Sequence, residues 1–198
     1  SWDILWDETY RRDIIMLDSS RDSIGIALAR LGHSINSRDP EELEAAKQLL
    51  MEQYPLVYAY LVDQTRDIMI NGGAALAVMY SGDAVDALDN NEDLAYVVPE
   101  EGSNLWFDAM VIPKAAKNPE NAEKFINFML DPANAAQNSE YVWYSLPSST
   151  ARQLLSEELR NNEVAYPPLE LLEQLEVFRD PGSFVKIYDE MWQEIKNQ

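Results

Sequence analysis

Residues 14–20 read Ile-Ile-Met-Leu-Asp-Ser-Ser, an apolar run that passes directly into polar residues. Four consecutive apolar residues are typical of a strand buried on both faces, and the residues after them can cap a helix over 21–31. The same succession returns at 75–80, where an apolar run leads into Ser81-Gly82-Asp83 and a helix over 82–88. Strands that alternate with helices predict an α/β fold with a mostly parallel sheet flanked by helices.

The remaining apolar segments extend this alternation along the chain. Asp39-Pro40-Glu41-Glu42 is a helix start, because it places an N-cap, a proline and two carboxylates in order. Further strands are predicted at 57–62, 94–98 and about 105–112. Further helices are predicted at 40–53, 64–71, 119–130, from Asp131-Pro132 onward, and at 151–155, 156–161, 168–174 and 182–196.

Composition narrows the classes of function. The 198 residues are 46% apolar and 25% charged, which is ordinary globular usage. Acidic residues outnumber basic ones by 35 to 15, so the formal net charge is −20. Such a surface repels phosphate backbones and anionic lipid headgroups and attracts cations, so nucleic acid is not an expected partner.

The residues used by common catalytic and metal sites are scarce. There is no cysteine, which excludes disulfides, thiolate zinc sites and thiol nucleophiles. The single histidine, His33, follows Gly32 and fits the end of a helix better than a catalytic triad. No phosphate-binding or hydrolase motif is present, so we predict no catalytic residue, metal or cofactor. Adjacent acids such as Glu41-Glu42 and Glu157-Glu158 leave a carboxylate-based hydrolase as an alternative.

Aromatic residues stand next to acids at the predicted strand ends. In a strand, Trp106 and Asp108 would share one face, because side chains alternate. Tyr80 lies where a strand meets a helix, as does the segment 18–22, and that edge of an open α/β sheet binds ligands. Aromatic faces and carboxylates together suit an elongated polycation. The alternative is that Trp106 and Tyr80 are ordinary core aromatics.

Several motifs in this order resemble the substrate-binding proteins of spermidine/putrescine ABC importers, from early in the second lobe to the C-terminus. The most specific is Leu105-Trp106-Phe107-Asp108-Ala109-Met110-Val111-Ile112-Pro113 with the preceding Glu-Gly loop. The other matching stretches are 1–6, 17–22, 70–84, 122–130, 178–180 and 187–192.

The resemblance implies a site for polyamines such as spermidine and putrescine. Trp106 would lie along the methylene chain, and Asp108 would bind an ammonium group. The other residues implied to bind the amine are Asp22, Tyr80, Tyr144 and Ser19. The first three would supply an acid, an aromatic wall and a hydrogen-bonding hydroxyl. Two positions depart from the family pattern: Ser19 stands where the best-known spermidine binder has Asp, with Asp18 as an adjacent substitute, and Arg179 stands near a Gln.

The resemblance also implies an architecture, a partner and a location. Residues 1–105 and 151–198 would form the second lobe of a periplasmic-binding-protein-like fold, and 106–150 would cross into a first lobe whose N-terminal part is absent. The expected function is non-enzymatic delivery of polyamine to a membrane permease, outside the cytoplasm and with a lipid anchor in the full-length protein. A relative for another small amine is the alternative. Residues 106–150, without their lobe, are expected to promote self-association.

Overall fold

A parallel three-stranded sheet forms the centre of the first half of the chain. The computed structural model describes all residues, 1–198. Strands β1 (Ile14–Leu17), β2 (Val57–Leu61) and β3 (Leu76–Ala77) lie in the order β2-β1-β3, with Leu17 opposite Leu61 and Ile14 opposite Leu76. β1 is buried along its whole length, as its uninterrupted apolar run predicts.

A second parallel sheet has two short strands. β4 (Asn104–Leu105) pairs with β5 (Glu176–Val177), with Asn104 opposite Glu176. This pairing brings a late segment of the chain beside the loop that precedes Trp106. The predicted α/β class with parallel sheets flanked by helices is confirmed.

Ten α-helices connect and cover the strands. α1 begins at a Ser19 N-cap, and α2 begins at Pro40 beneath Asp39, whose carboxylate accepts the Glu41 and Glu42 N–H groups. No helix is both long and apolar enough to cross a membrane. The helices are α1 Ser20–Arg30, α2 Pro40–Gln53, α3 Gln64–Ile70, α4 Ser81–Asn90, α5 Pro119–Leu130, α6 Pro132–Val142, α7 Ser149–Arg152, α8 Glu157–Arg160, α9 Leu169–Leu172 and α10 Val185–Lys196. Four 3₁₀ turns lie at Trp2–Trp6, Glu8–Tyr10, Tyr54–Leu56 and Gly182–Phe184.

The buried apolar residues form three clusters. The first joins the N-terminal 3₁₀ turn to β1 and its neighbours. The second joins α1, α2 and α10, and the third joins α4 to α6, α8 and the adjoining loops. α5 has no buried residue. The third cluster includes Ala136 and Leu155, which lie on either side of the predicted lobe boundary at 150, and that boundary stays a prediction.

Two predicted strands are wrong. Residues 94–98 carry no strand, although Leu94, Tyr96 and Val98 turn inward and Ala95 and Val97 turn outward as in an extended chain. The predicted strand over 105–112 ends at Leu105. The segment 94–98 has the alternating side chains of a strand, whereas residues 107–111 are all exposed. In both segments a strand would also need a neighbour with which to exchange backbone hydrogen bonds.

The region around His33 matches its predicted place at a helix end. The His33 N–H donates to the Leu28 carbonyl at 2.9 Å, and Gly32 has a φ of 77°, the left-handed backbone that closes helices. His33 Nδ1 lies 3.3 Å from a Glu42 carboxylate oxygen.

Candidate functional site

The carboxylate of Asp22 is the point where three elements meet. It accepts hydrogen bonds from the Ser19 hydroxyl at 2.6 Å, the Tyr80 hydroxyl at 3.1 Å and the Asn104 amide at 3.0 Å. Asp22 lies in the first turn of α1, where the helix dipole favours a negative charge. The three donors are neutral, so they fix the orientation of the carboxylate while its charge stays unpaired.

Three aromatic rings form a continuous row that starts at Asp22. Tyr80 and Trp106 have ring centroids 5.5 Å apart at 68°, and Trp106 and Tyr144 have centroids 5.5 Å apart at 65°. Edge-to-face contacts of this kind are favourable and hold the rings in a defined arrangement. We call Tyr80, Trp106 and Tyr144 the aromatic row.

A second carboxylate, Asp83, binds the last ring of the aromatic row, and its charge also acts on Tyr80. The Tyr144 hydroxyl donates to Asp83 Oδ2 at 3.1 Å. Tyr144 packs on Gly82 so closely that a Cβ at position 82 would lie 2.3 Å from its ring. Glycine at this position is therefore a condition for placing the Tyr144 hydroxyl on Asp83.

The end of α6 fixes the backbone of Tyr144. Trp143 has a φ of 61° and terminates the helix, and its N–H donates to the Ser139 carbonyl at 2.8 Å. The Ser139 hydroxyl then donates to the Tyr144 carbonyl at 2.5 Å. A left-handed backbone is unfavourable for a bulky residue, so these bonds hold a turn that directs Tyr144 toward α4.

Burial is the main cause of the pKa shifts of the two tyrosines in the aromatic row and of Asp83. It raises the pKa of Tyr80 and of Tyr144, and the neighbouring charges of Asp22 and Asp83 raise them further, so both hydroxyls remain protonated donors. Burial also raises the pKa of Asp83, against the Tyr144 hydrogen bond and the positive charge of Arg66. A cation placed beside Asp83 would therefore relieve an unfavourable buried charge.

Five of the six site residues predicted from the sequence form this connected set: Ser19, Asp22, Tyr80, Trp106 and Tyr144. The sixth, Asp108, is exposed and makes no hydrogen bond or ion pair, and its charge contributes to the raised pKa of Tyr80. Trp106 and Asp108 lie beyond the end of β4, so strand alternation does not place them on one face.

Two residues of the set were missed by sequence reasoning, Asn104 and Asp83. Asp83 stands three residues after Tyr80, one helical turn away, and that spacing was a usable signal. Asn104 reaches Asp22 only because β4 pairs with β5, and no local pattern indicates this contact.

The two departures from the family pattern have definite surroundings. Asp18 does not face Asp22: its carboxylate accepts from Lys196 Nζ at 2.7 Å and from the Trp192 indole at 3.2 Å, both on α10. Arg179 is exposed, and its guanidinium forms no ion pair.

Comparison with known proteins shows to which family the chain belongs. The family model for bacterial extracellular solute-binding proteins matches residues 1–166. The chain belongs to this family.

Individual solute-binding relatives match along nearly the whole chain. The spermidine/putrescine-binding periplasmic protein of Escherichia coli is 36% identical over 99% of this chain and 56% of its own length. PotD, a spermidine/putrescine ABC transporter substrate-binding protein from Streptococcus pneumoniae, is 42% identical with a TM-score of 0.82, covering 98% of this chain and 61% of its own. A Listeria monocytogenes structure provisionally described as a spermidine/putrescine ABC transporter is 42% identical with a TM-score of 0.96, covering all of this chain and 61% of its own. The chain thus spans a little over half the length of these solute-binding proteins.

Proposed function

We propose that this chain belongs to a polyamine-binding component of an ABC importer. The observation that carries the proposal is the aromatic row with a carboxylate at each end, Asp22 and Asp83, neither of which forms an ion pair with a cation of the protein. A linear diamine has the complementary order of groups, with an ammonium at each end and apolar methylenes between.

Each residue has a role in this proposal. The methylene chain lies on Trp106, with Tyr80 and Tyr144 at its sides. Asp22 and Asp83 bind the terminal ammonium groups, and the exposed Asp108 binds a further ammonium from the solvent side. Ser19 and Asn104 keep the Asp22 carboxylate in place. Cation–π contact contributes about 0.5–2 kcal/mol for each ammonium that meets a ring face.

The names of the relatives support a polyamine ligand, an ABC transport system and a location outside the cytoplasm. Their names describe spermidine and putrescine binding and ABC transport, and the Escherichia coli protein is described as periplasmic. We extend these properties to this chain: delivery of the bound amine to a membrane permease, outside the cytoplasm, with a lipid anchor on the full-length protein. The function is binding without catalysis, in place of the carboxylate-based hydrolase considered from the sequence.

A related candidate is transport of a different small amine. Ser19 and Arg179 bear on the preference among amines, because the first removes an acid and the second adds a cation relative to the pattern of the best-known spermidine binder. Titrations with putrescine, spermidine and γ-aminobutyrate distinguish a polyamine-binding protein from one that binds a different small amine. The last compound keeps the chain and one ammonium but carries a carboxylate, which Asp22 or Asp83 would repel.

The test is tryptophan fluorescence and calorimetry on the chain and on two site variants. Trp106→Ala should weaken spermidine binding by about 2 kcal/mol, roughly thirtyfold, because it removes ring contact and apolar area. Asp108→Ala should weaken it by about 1 kcal/mol or less, because the pair that Asp108 forms with an ammonium is exposed to solvent. Glu92→Gln, an exposed acid with no side-chain hydrogen bond, is the matched control and should bind as the unmodified chain does. Unchanged affinity in both site variants, with folding intact, contradicts the proposal.

A further inference from the structure

A pocket of about 420 Å³ lies where the start of α1, the loop before α2 and the segment after β5 meet. Its lining includes three arginines, Arg21, Arg38 and Arg179, and a single carboxylate, Asp180. The chain has only 15 basic residues against 35 acidic ones, so three cations around one anion reverse the charge of the molecule at this place. We call this the arginine pocket.

The guanidinium of Arg21 is held firmly but not fully satisfied. It lies over the rings of Phe178 and Tyr188, 4.6 and 4.9 Å from their centroids. Its two terminal nitrogens donate to the Arg179 carbonyl at 3.2 Å and to Asn36 Oδ1 at 3.3 Å. Its Nε is buried and has no hydrogen-bond partner. A buried donor without an acceptor is unfavourable, and a bound water or ion that accepts its hydrogen bond is one way to satisfy it.

The other two arginines also keep free donors. Arg38 donates one hydrogen bond, to the Asp180 carbonyl, and the Arg179 guanidinium donates none. None of the three arginines forms an ion pair, whereas Arg11, Arg30 and Arg66 all do. A guanidinium has five N–H donors in a planar fork, so most of the donors at this pocket are unused.

The nearby carboxylates are occupied by other groups. Asp180 Oδ1 accepts the Gly182 N–H at 2.8 Å. Glu176 accepts from the Ser34 hydroxyl at 2.5 Å, the Ile35 N–H at 3.0 Å and the Asn36 amide at 3.3 Å. These bonds hold both acids in local turns, but the donors are neutral and both carboxylates keep their charge, and the positive charge of Arg179 helps to hold the pKa of Glu176 below its ordinary value. Three guanidinium groups against two carboxylates leave an excess of one positive charge at this place.

We propose that the arginine pocket binds a small oxyanion of the phosphate class. Arginine forks match the oxygen geometry of phosphate groups in pairs of hydrogen bonds, and the excess of guanidinium groups over carboxylates favours an anion. Such an anion would accept hydrogen bonds from the exposed guanidinium groups of Arg38 and Arg179, and a shift of the Arg21 side chain toward the pocket would bring its Nε to one of the anion's oxygens. The proposal is independent of amine binding at the aromatic row, because its ligand has the opposite charge.

Calorimetric titration of the 198-residue chain with sodium pyrophosphate at constant ionic strength tests the proposal. We expect saturable binding of one anion. Arg38→Gln combined with Arg179→Gln should weaken it by at least about tenfold, since two of three cations are removed. Both arginines are exposed, so the fold should survive, and circular dichroism checks this. Lys114→Gln with Lys117→Gln is the control, because it removes two exposed, unpaired cations outside the pocket and should leave binding unchanged.

A second measurement reports on the pocket directly. The Nε–H resonance of Arg21 in a nitrogen–proton NMR spectrum should shift on addition of pyrophosphate and follow the calorimetric curve. Absence of saturable binding, equal affinity in the arginine double variant, an equal loss in the lysine control, or a resonance that does not move would each overturn the proposal.

Discussion

Ionised Asp83 destabilises the folded protein, and in the proposed function it binds an ammonium group. One substitution tests both effects. The folded-state pKa of Asp83 is raised above the ordinary value of 3.8, chiefly by burial. The folded protein therefore holds this proton more tightly than the unfolded chain does. The stabilisation that comes from protonated Asp83 is therefore present below the ordinary pKa and is lost as pH rises through the folded-state pKa. At neutral pH the ionised carboxylate opposes folding.

We accordingly expect Asp83→Asn to raise the melting temperature at neutral pH and to weaken putrescine binding by about tenfold or more, as for a lost charge-assisted contact. The gain in melting temperature should shrink as pH falls below the ordinary aspartate pKa. Differential scanning calorimetry across pH and a putrescine titration measure the two effects. Glu92→Gln removes the same charge from an exposed site and should change neither. A variant that binds putrescine normally would remove Asp83 from the site.

Gly82 permits the contact between α4 and Tyr144, and alanine should break it. The added Cβ would lie 2.3 Å from the Tyr144 ring, so the ring must move and release Asp83. We expect Gly82→Ala to change the fluorescence of the adjacent Trp106 and to weaken amine binding. Tyr144→Phe, which keeps the ring and removes only the hydroxyl, should lower affinity less and leave the fluorescence nearly unchanged. Equal affinity and equal fluorescence in the two variants would contradict a role for the position of the Tyr144 ring in amine binding.

At the scale of elements, α10 anchors the C-terminal segment to the first half of the chain. Tyr188, Met191, Trp192 and Ile195 enter the cluster formed with α1 and α2, and Trp192 and Lys196 bind Asp18 at the end of β1. The helix thus holds the strand end from which Ser19 and Asp22 follow. Loss of its packing should affect the site as well as stability.

Ile195→Ala and Ile187→Ala, both on α10, test how much the packing of this helix stabilises the fold. Ile195 is fully buried, and its truncation should cost about 2–5 kcal/mol of unfolding free energy through lost transfer energy and a residual cavity. Ile187 is 40% exposed, and the same change there should cost much less. Urea unfolding followed by fluorescence gives both values. Similar losses at the two positions would show that the α10 contact is not the one described.

Local sequence patterns predicted the elements whose stability is local. The apolar run at 14–17, the polar residues 18–20 that can cap a helix and the cap at Asp39 identified β1, α1 and α2, because burial and capping depend on neighbouring residues. The predicted strands at 94–98 and 105–112 were wrong because pairing depends on a partner that the local pattern does not contain. The contact of Asn104 with Asp22 failed for the same reason, since it needs the pairing of β4 with β5.

At the scale of the whole molecule, the charges divide into two sites of opposite sign. Carboxylates flank the aromatic row, and guanidiniums line the arginine pocket, yet Asp22 and Arg21 are adjacent in the first turn of α1. Successive helical residues point about 100° apart, so one turn of helix can present an acid to one site and a base to the other. The strong net negative charge favours amines at the first site and opposes anions at the second, so anion binding there depends on the local guanidinium groups.

α5 and the segment before it expose several large apolar side chains. Phe107 and Val111 are 71% and 79% exposed, and Phe125 and Phe128 on α5 are 58% and 57% exposed. α5 contains no buried residue, although its apolar side chains recur at helical spacing. Apolar faces of this kind promote association when no other part of the chain covers them.

We therefore expect this chain to self-associate through residues 106–150, with amine binding weaker than micromolar because the rings of the aromatic row are only half-buried. Light scattering coupled to gel filtration over a range of concentrations measures the first effect, and calorimetry measures the second. Phe125→Glu with Phe128→Glu should give a monomer, because two charges on the apolar face repel a second copy. Leu154→Glu with Leu169→Glu adds the same charge at exposed leucines outside 106–150 and should leave the association intact. A monodisperse monomer that binds spermidine at micromolar strength or better would contradict both parts.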